Sequence, residues 1–165
     1  MTVDTLAKLF WRRVETSGDR PAQMLKRDGA WVTLTWREVG AIVREVALGL
    51  VALGRQPGDT VALLSQSRAE WVQTDFAIFS AGGVTVPIYP TYPPDLIAYV
   101  VNDAGARTLI VEDAAQLEKA LAARPSMPQL EHIVVIAPGA AAVAGAGVMT
   151  WEALRALGRE GAARH

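Results

Sequence analysis

The sequence predicts an α/β protein: a doubly wound, mostly parallel sheet with helices on both faces, preceded by a helix and a β-hairpin. Three observations carry this. From Pro57 onward, short apolar runs alternate with helical patterns, strand then helix. The runs Thr60 to Leu64, Val84 to Tyr89, Arg107 to Val111 and Ile133 to Ile136 are rich in Val, Ile and Leu and show little polar alternation, as strands covered on both faces do. Helices join them, and right-handed helical crossovers are how a chain links parallel strands.

The elements follow in order. Thr5 to Thr16 places Leu6, Leu9, Phe10 and Arg13 at helical spacing, and Ser17-Gly18-Asp19 with Pro21 ends the segment. Gln23 to Arg27 and Trp31 to Trp36 are strand-like and flank Asp28-Gly29, a dipeptide that tolerates the positive φ of a tight turn, so a hairpin is expected. Thr35-Trp36-Arg37-Glu38 has the spacing of a capping box: the Thr35 hydroxyl accepts from the Glu38 amide while the Glu38 carboxylate reaches back. Behind it Val39, Ile42, Val43, Val46, Leu50 and Leu53 recur at three- and four-residue steps, and Gly54 stands where a C-terminal cap belongs. Arg68 to Ala81, Pro94 to Asn102 and Ala114 to Ala123 are the helices between the strands. After Ile136 comes an Ala/Gly tract without side chains for a core, expected as a surface loop, then a short helix over Thr150 to Leu157. The expected organisation is an α/β unit over 1–136, the Ala/Gly loop over 137–149, and a short helix with a truncated end over 150–165.

Composition bounds the function. The chain has 165 residues, 51% apolar and 20% charged, with 16 Lys+Arg against 17 Asp+Glu. A domain of this size buries roughly 70% of its unfolded surface, so it needs neither disulfides nor a structural metal, and there is no Cys. The near-neutral balance carries no electrostatic footprint for nucleic acid. The start lacks a signal-peptide core, and the most apolar stretch, Val39 to Leu53, is interrupted by Arg44 and Glu45. A cytoplasmic, soluble protein is expected.

The default chemistry of such a sheet is nucleotide binding, yet neither G-x-x-x-x-G-K-[ST] nor G-x-G-x-x-G occurs. Ala81-Gly82-Gly83 runs from helix into strand, the wrong polarity for cradling phosphate and the right one for a helix C-cap. Two loops run from strand into helix: Ser65-Gln66-Ser67, where Ser67 is expected to cap the helix opening at Arg68, and Pro90 to Pro94. In Tyr89-Pro90-Thr91-Tyr92-Pro93-Pro94 the prolines fix φ and Pro94 suits a first helical turn. Tyr89, Thr91 and Tyr92 are candidate wall residues of a ligand path, with a stiff buried turn as the alternative. His132 and His165 have no partners at catalytic spacing, Asp113 beside Glu112 is placed to cap the next helix, and no metal site is expected. The Trp residues at 11, 31, 36, 71 and 151 are dispersed among apolar neighbours, which suits core packing.

A family resemblance emerges from the order of segments. Leu34-Thr35-Trp36-Arg37-Glu38-Val39, Gln56-Pro57-Gly58-Asp59-Thr60-Val61-Ala62-Leu63-Leu64-Ser65, Arg68-Ala69-Glu70-Trp71, Ala81-Gly82-Gly83-Val84-Thr85-Val86-Pro87-Ile88-Tyr89 and Tyr99 to Asp113 together resemble the amino-terminal region of AMP-forming acyl-CoA synthetases, above all the long-chain fatty-acid-CoA ligases. The likeness runs from about Leu6 to Ile136; Trp36 stands where the family usually has Tyr, and Ser67 where Asn is common. It implies a two-step ligase in which a fatty carboxylate attacks the α-phosphate of Mg-ATP, releasing pyrophosphate, and the CoA thiol then displaces AMP. In that family the reaction uses a Ser/Thr/Gly-rich ATP loop ending in Pro-Lys-Gly, an aromatic adenine pocket, a ribose-binding Asp and a Lys on a mobile carboxy-terminal domain, and none of these motifs occurs here. The resemblance therefore implies an amino-terminal segment, inactive alone, whose parent uses ATP, Mg and CoA, has the remaining ligase chain as partner, and is cytoplasmic or peripheral to membrane. No catalytic or cofactor-binding residue is carried over. A cut sheet is also expected to self-associate. The alternatives are a free-standing α/β interaction or scaffold module and a small nucleotide-binding enzyme.

Overall fold

A computed structural model describes residues 4–27, 29–138 and 147–162. Thr5 opens the first helix, α1 (Leu6–Ser17), by accepting from the Lys8 amide. Its buried side is set by Phe10, which stacks on Phe76 at a centroid separation of 4.5 Å, while Trp11 Nε1 donates to Ser80 Oγ at 3.0 Å. Leu6 and Leu9, expected on the core face, are 59% and 53% exposed. The aromatic residues bury more area per side chain and claim the contact.

The hairpin forms as expected: β1 (Pro21–Arg27) pairs antiparallel with β2 (Ala30–Thr35), with a register shift near Pro21. Asp28 lies outside the described residues, and Gly29 takes φ +81°. Trp31 departs from the core-packing expectation and is 67% exposed, because it lies on the outer face of a two-stranded ribbon. Helix α2 (Trp36–Ala52) begins with the expected capping box, in which Glu38 Oε2 accepts from the Thr35 amide at 2.7 Å and Thr35 Oγ1 from the Glu38 amide at 3.3 Å.

The main sheet has five strands in the order β4-β3-β5-β6-β7, all parallel: β3 (Thr60–Leu64), β4 (Val84–Ile88), β5 (Thr108–Val111), β6 (His132–Val135) and β7 (Val148–Thr150). Between them run α3 (Ala69–Ser80), α4 (Pro94–Asp103), α5 (Ala114–Ala123) and a 3-10 turn (Arg124–Ser126), and α6 (Trp151–Ala162) follows β7. Alternate strand residues feed two cores. Ala62, Leu64, Leu109, Val111, Ile133 and Val135 pack beneath α4 and α5, whereas Val61, Leu63, Ile110 and Val134 pack beneath α1, α2, α3 and α6. The doubly wound expectation is met.

The end of the chain differs from expectation. Val148 and Met149, read as part of the Ala/Gly loop, belong to a fifth strand on β6, and the final helix extends to Ala162 instead of stopping near Leu157. Thr150 caps that helix by accepting from the Ala153 amide at 3.0 Å, as expected. The rest of the Ala/Gly tract, 139–146, lies outside the described residues.

Candidate functional site

The carboxyl ends of parallel strands are where ligands bind in open α/β sheets. Here the ends of β3 and β4, the edge pair, frame a cavity of about 340 Å³ lined by Ser65, Gln66, Ser67, Trp71, Pro87, Ile88, Tyr89 and Pro90. Buried Ile88, exposed Pro87, and Trp71 of α3 give the lining its apolar share.

The Ser65-Gln66-Ser67 rim is held from β5. Gln66 N–H donates to Glu112 Oε2 at 2.8 Å, and the buried Ser65 hydroxyl donates to the Gln66 carbonyl at 2.9 Å. Glu112 Oε1 also faces Arg68 Nη1 at 3.6 Å. Ser67 does not cap α3, contrary to expectation: the N-cap residue is Arg68, with no side-chain acceptor, and Ser67 is exposed. In place of a cap, Arg68 Nε donates to Glu70 Oε2 at 2.8 Å, which raises the Arg68 guanidinium pKa. Burial works to raise the Glu70 carboxyl, but that hydrogen bond and the Arg68 charge hold it below the usual carboxylate range.

The second rim is the β4–α4 loop. Tyr89 and Tyr92 come together with centroids 5.6 Å apart and planes at 59°, and Tyr92 N–H donates to the Tyr89 carbonyl at 3.0 Å. Tyr89 is 69% exposed, whereas Tyr92 packs against the α4–α5 core. Thr91 is exposed and does not line the cavity. Pro93 and Pro94 launch α4, with Pro94 in the first turn as expected. Trp71, Pro87 and Ile88, which sequence reasoning did not single out, complete the wall.

Gly82 takes φ +78° and ends α3, so Ala81-Gly82-Gly83 is the expected C-cap. Asp113 Oδ1 accepts from the Gln116 amide at 3.0 Å, the expected cap of α5. His132 sits at the start of β6, at the opposite end of the sheet from the cavity; burial, then the Arg55 charge, holds its imidazole below the usual pKa. Among the described residues no three His, Cys, Asp or Glu gather as a metal site, and no helix is long and apolar enough to cross a membrane. The cavity can bind and orient, but it offers no nucleophile paired with a base.

The sequence profile of AMP-binding enzymes matches residues 10–153. The chain belongs to the AMP-binding enzyme family. Among its relatives, the long-chain-fatty-acid--CoA ligase FadD15 of Mycobacterium bovis is 38% identical over 134 residues, and the ligase ACSBG1 of Bos taurus is 29% identical over 159. These alignments cover 81% and 96% of this chain but 22% of each ligase, so the chain spans about a fifth of their length. A relative of nearer size, the uncharacterized Mycobacterium tuberculosis protein Rv1549, is 33% identical over 132 residues, covering 80% of this chain and 72% of that one. The fold of this family member also matches solved structures. The anthranilate CoA ligase AuaEII with anthranoyl-AMP superimposes with a TM-score of 0.79 at 29% identity, covering 91% of this chain and 27% of that one. A putative long-chain-fatty-acid CoA ligase from Rhodopseudomonas palustris gives 0.77 at 27% identity, covering 91% and 36%.

Proposed function

We propose that this chain forms the amino-terminal α/β layer of a long-chain fatty-acid-CoA ligase of lipid metabolism, which joins fatty acid and CoA at the expense of ATP with release of AMP and pyrophosphate. The supporting observation is the cavity at the carboxyl ends of β3 and β4, carried by a chain whose relatives bear that name. Its role is to supply one wall of the acyl or CoA path, with Tyr89 at the cavity and Thr91 and Tyr92 in the loop that carries it. The stiffness of the segment suits this, since prolines at 90, 93 and 94 hold it in one shape without substrate.

Mg-ATP is not assigned to these residues. Glu112 and Glu70 are engaged with Arg68 and the Gln66 amide, and the loop donors are two serines and a glutamine, a poor set for a triphosphate and its cation. ATP, Mg and CoA are cofactor and substrates of the whole ligase, and the remaining ligase chain is the partner of this layer. The whole enzyme works in the cytoplasm, with peripheral membrane contact where its fatty substrate resides.

Replacing the aligned segment of FadD15 by this chain tests the reading. A soluble chimera with an unfolding transition that converts palmitate to palmitoyl-CoA supports it, and a folded chimera without turnover counts against it. One observation favours a second reading, a free-standing module: the match to 72% of Rv1549. Sedimentation of the isolated chain separates the two, because a layer made to join more protein is expected to self-associate with concentration and a module to stay monomeric.

A further inference from the structure

We infer that Lys119, on α5, is a positioning residue that fixes the Tyr89–Tyr92 loop by gripping its backbone at Pro90. Lys119 Nζ donates to the Pro90 carbonyl at 2.5 Å, across 29 positions of sequence and in a half-buried setting. No carboxylate of the described residues pairs with this ammonium. A lysine head is ordinarily turned to water. Here its neighbours Leu117 and Ala120 are buried against the sheet, and the stem carries the charge to one carbonyl of the opposite loop.

The loop needs an external anchor. Three of the six residues from Tyr89 to Pro94 are prolines and have no N–H to donate, so the segment has few amides with which to knit itself together. Within it Tyr92 N–H to the Tyr89 carbonyl is the internal bond, and that bond leaves the Pro90 carbonyl to α5. An ammonium-to-carbonyl hydrogen bond is charge-assisted, roughly twice as strong as a neutral one. Held there, Pro90 and Tyr89 set the mouth of the cavity, while Lys119 itself does not line it. The grip would define the cavity's shape from behind, touching no substrate.

The functional half of this inference rests on the reading of the loop as a wall of the substrate path; the tether does not. The chain has three tyrosines, 89, 92 and 99, so incorporation of 3-fluorotyrosine gives three ¹⁹F lines, assignable by Tyr→Phe variants. In Lys119→Met the Tyr89 and Tyr92 lines are expected to shift or broaden while that of Tyr99, on α4, holds. Lys119→Arg, which still donates, restores them. If all three lines stay in place in Lys119→Met, or all move together as in a general loss of packing, the tether is wrong. In the FadD15 chimera the same variant is expected to raise KM for palmitate or CoA by about fivefold, the size of one ordinary hydrogen bond, with kcat within about twofold. Moved tyrosine lines with unchanged KM would leave the tether standing and sink the reading of the loop as a substrate wall.

Discussion

Gly158 of α6 lies so close to α2 that a Cβ built on it would stand 1.8 Å from the carbonyl oxygen of Glu45. Gly49 of α2 answers it, since a Cβ there would meet the Leu154 carbonyl at 2.3 Å. Two backbones therefore touch, and Arg155 and Arg159 of α6 reach Glu45 at 2.8 and 3.0 Å beside the contact.

Alanine at 158 must push the helices apart and is expected to cost about 3 kcal/mol or more, the upper part of the overpacking range. Gly161, in the same helix, has nothing within 4 Å of its virtual Cβ. Gly161→Ala is expected to stabilise by about 0.5–1 kcal/mol through helix propensity alone. Thermal unfolding of both variants decides; equal effects would mean that α6 does not dock on α2 as described.

Arg55 is buried, with Nη2 donating to Glu131 Oε2 at 2.6 Å while Nε and Nη1 have no partner among the described residues. Glu131 also accepts from Arg107 Nε at 3.0 Å. The two sides of this pair should respond unequally. Arg55→Met removes a charge that is costly to bury and leaves Glu131 paired with Arg107, so stability should stay within about 1 kcal/mol. Glu131→Ala strands the Arg55 guanidinium and should be clearly the more damaging in urea titration. The reverse ranking would refute this account of the cluster.

The same cluster sets a pH dependence. Burial and the neighbouring Arg55, Arg107 and Arg124, opposed only by Glu131, hold the folded His132 pKa below its ordinary value. The fold thus favours the neutral ring, and its contribution is whole above about pH 6.5 and is lost as pH falls from there through the folded value. Glu131, held low first by its hydrogen bond to Arg107, acts in the same direction further down, below the ordinary carboxylate range. His132→Gln should flatten the fall in stability that begins below about pH 6.5 while leaving the carboxylate limb at lower pH in place. Chemical denaturation at several pH values checks this, and an unchanged slope would exclude His132 as its source.

The helix start at Thr35 gives a separate test. Thr35 and Glu38 satisfy each other's amides at the head of α2, so Thr35→Ala should cost about 1 kcal/mol and Thr35→Ser much less. Equal losses would point to the Thr35 methyl rather than its hydroxyl.

Where the sequence carried a strong pattern, it could be read. The bounds of β3 and α5 match the apolar runs, and the caps at Thr35, Asp113 and Thr150 form because Thr and Asp oxygens stand where orphan amides need them. The failures have physical causes. Strand β7 spans three residues beside an Ala/Gly tract, too short for periodicity to show. Leu6 and Leu9 share helical spacing with Phe10, and tertiary contact with Phe76 chose between the faces. Ser67 lost the cap to a local ion pair one residue on. The prolines mark the stiff loop after β4 in the sequence, but nothing marks Lys119, because a contact across 29 positions leaves no local trace. Trp71 carried a signal, its place in Arg68-Ala69-Glu70-Trp71 one turn beyond a strand-to-helix loop.

In the proposed function this layer supplies a wall for adenylate-forming chemistry, and the reactive groups stand on other residues. Pyrophosphate release from ATP, Mg and palmitate by the purified 165-residue chain tests it most directly. No release above a protein-free blank is expected; palmitate-dependent release accompanied by acyl-adenylate would overturn the proposal.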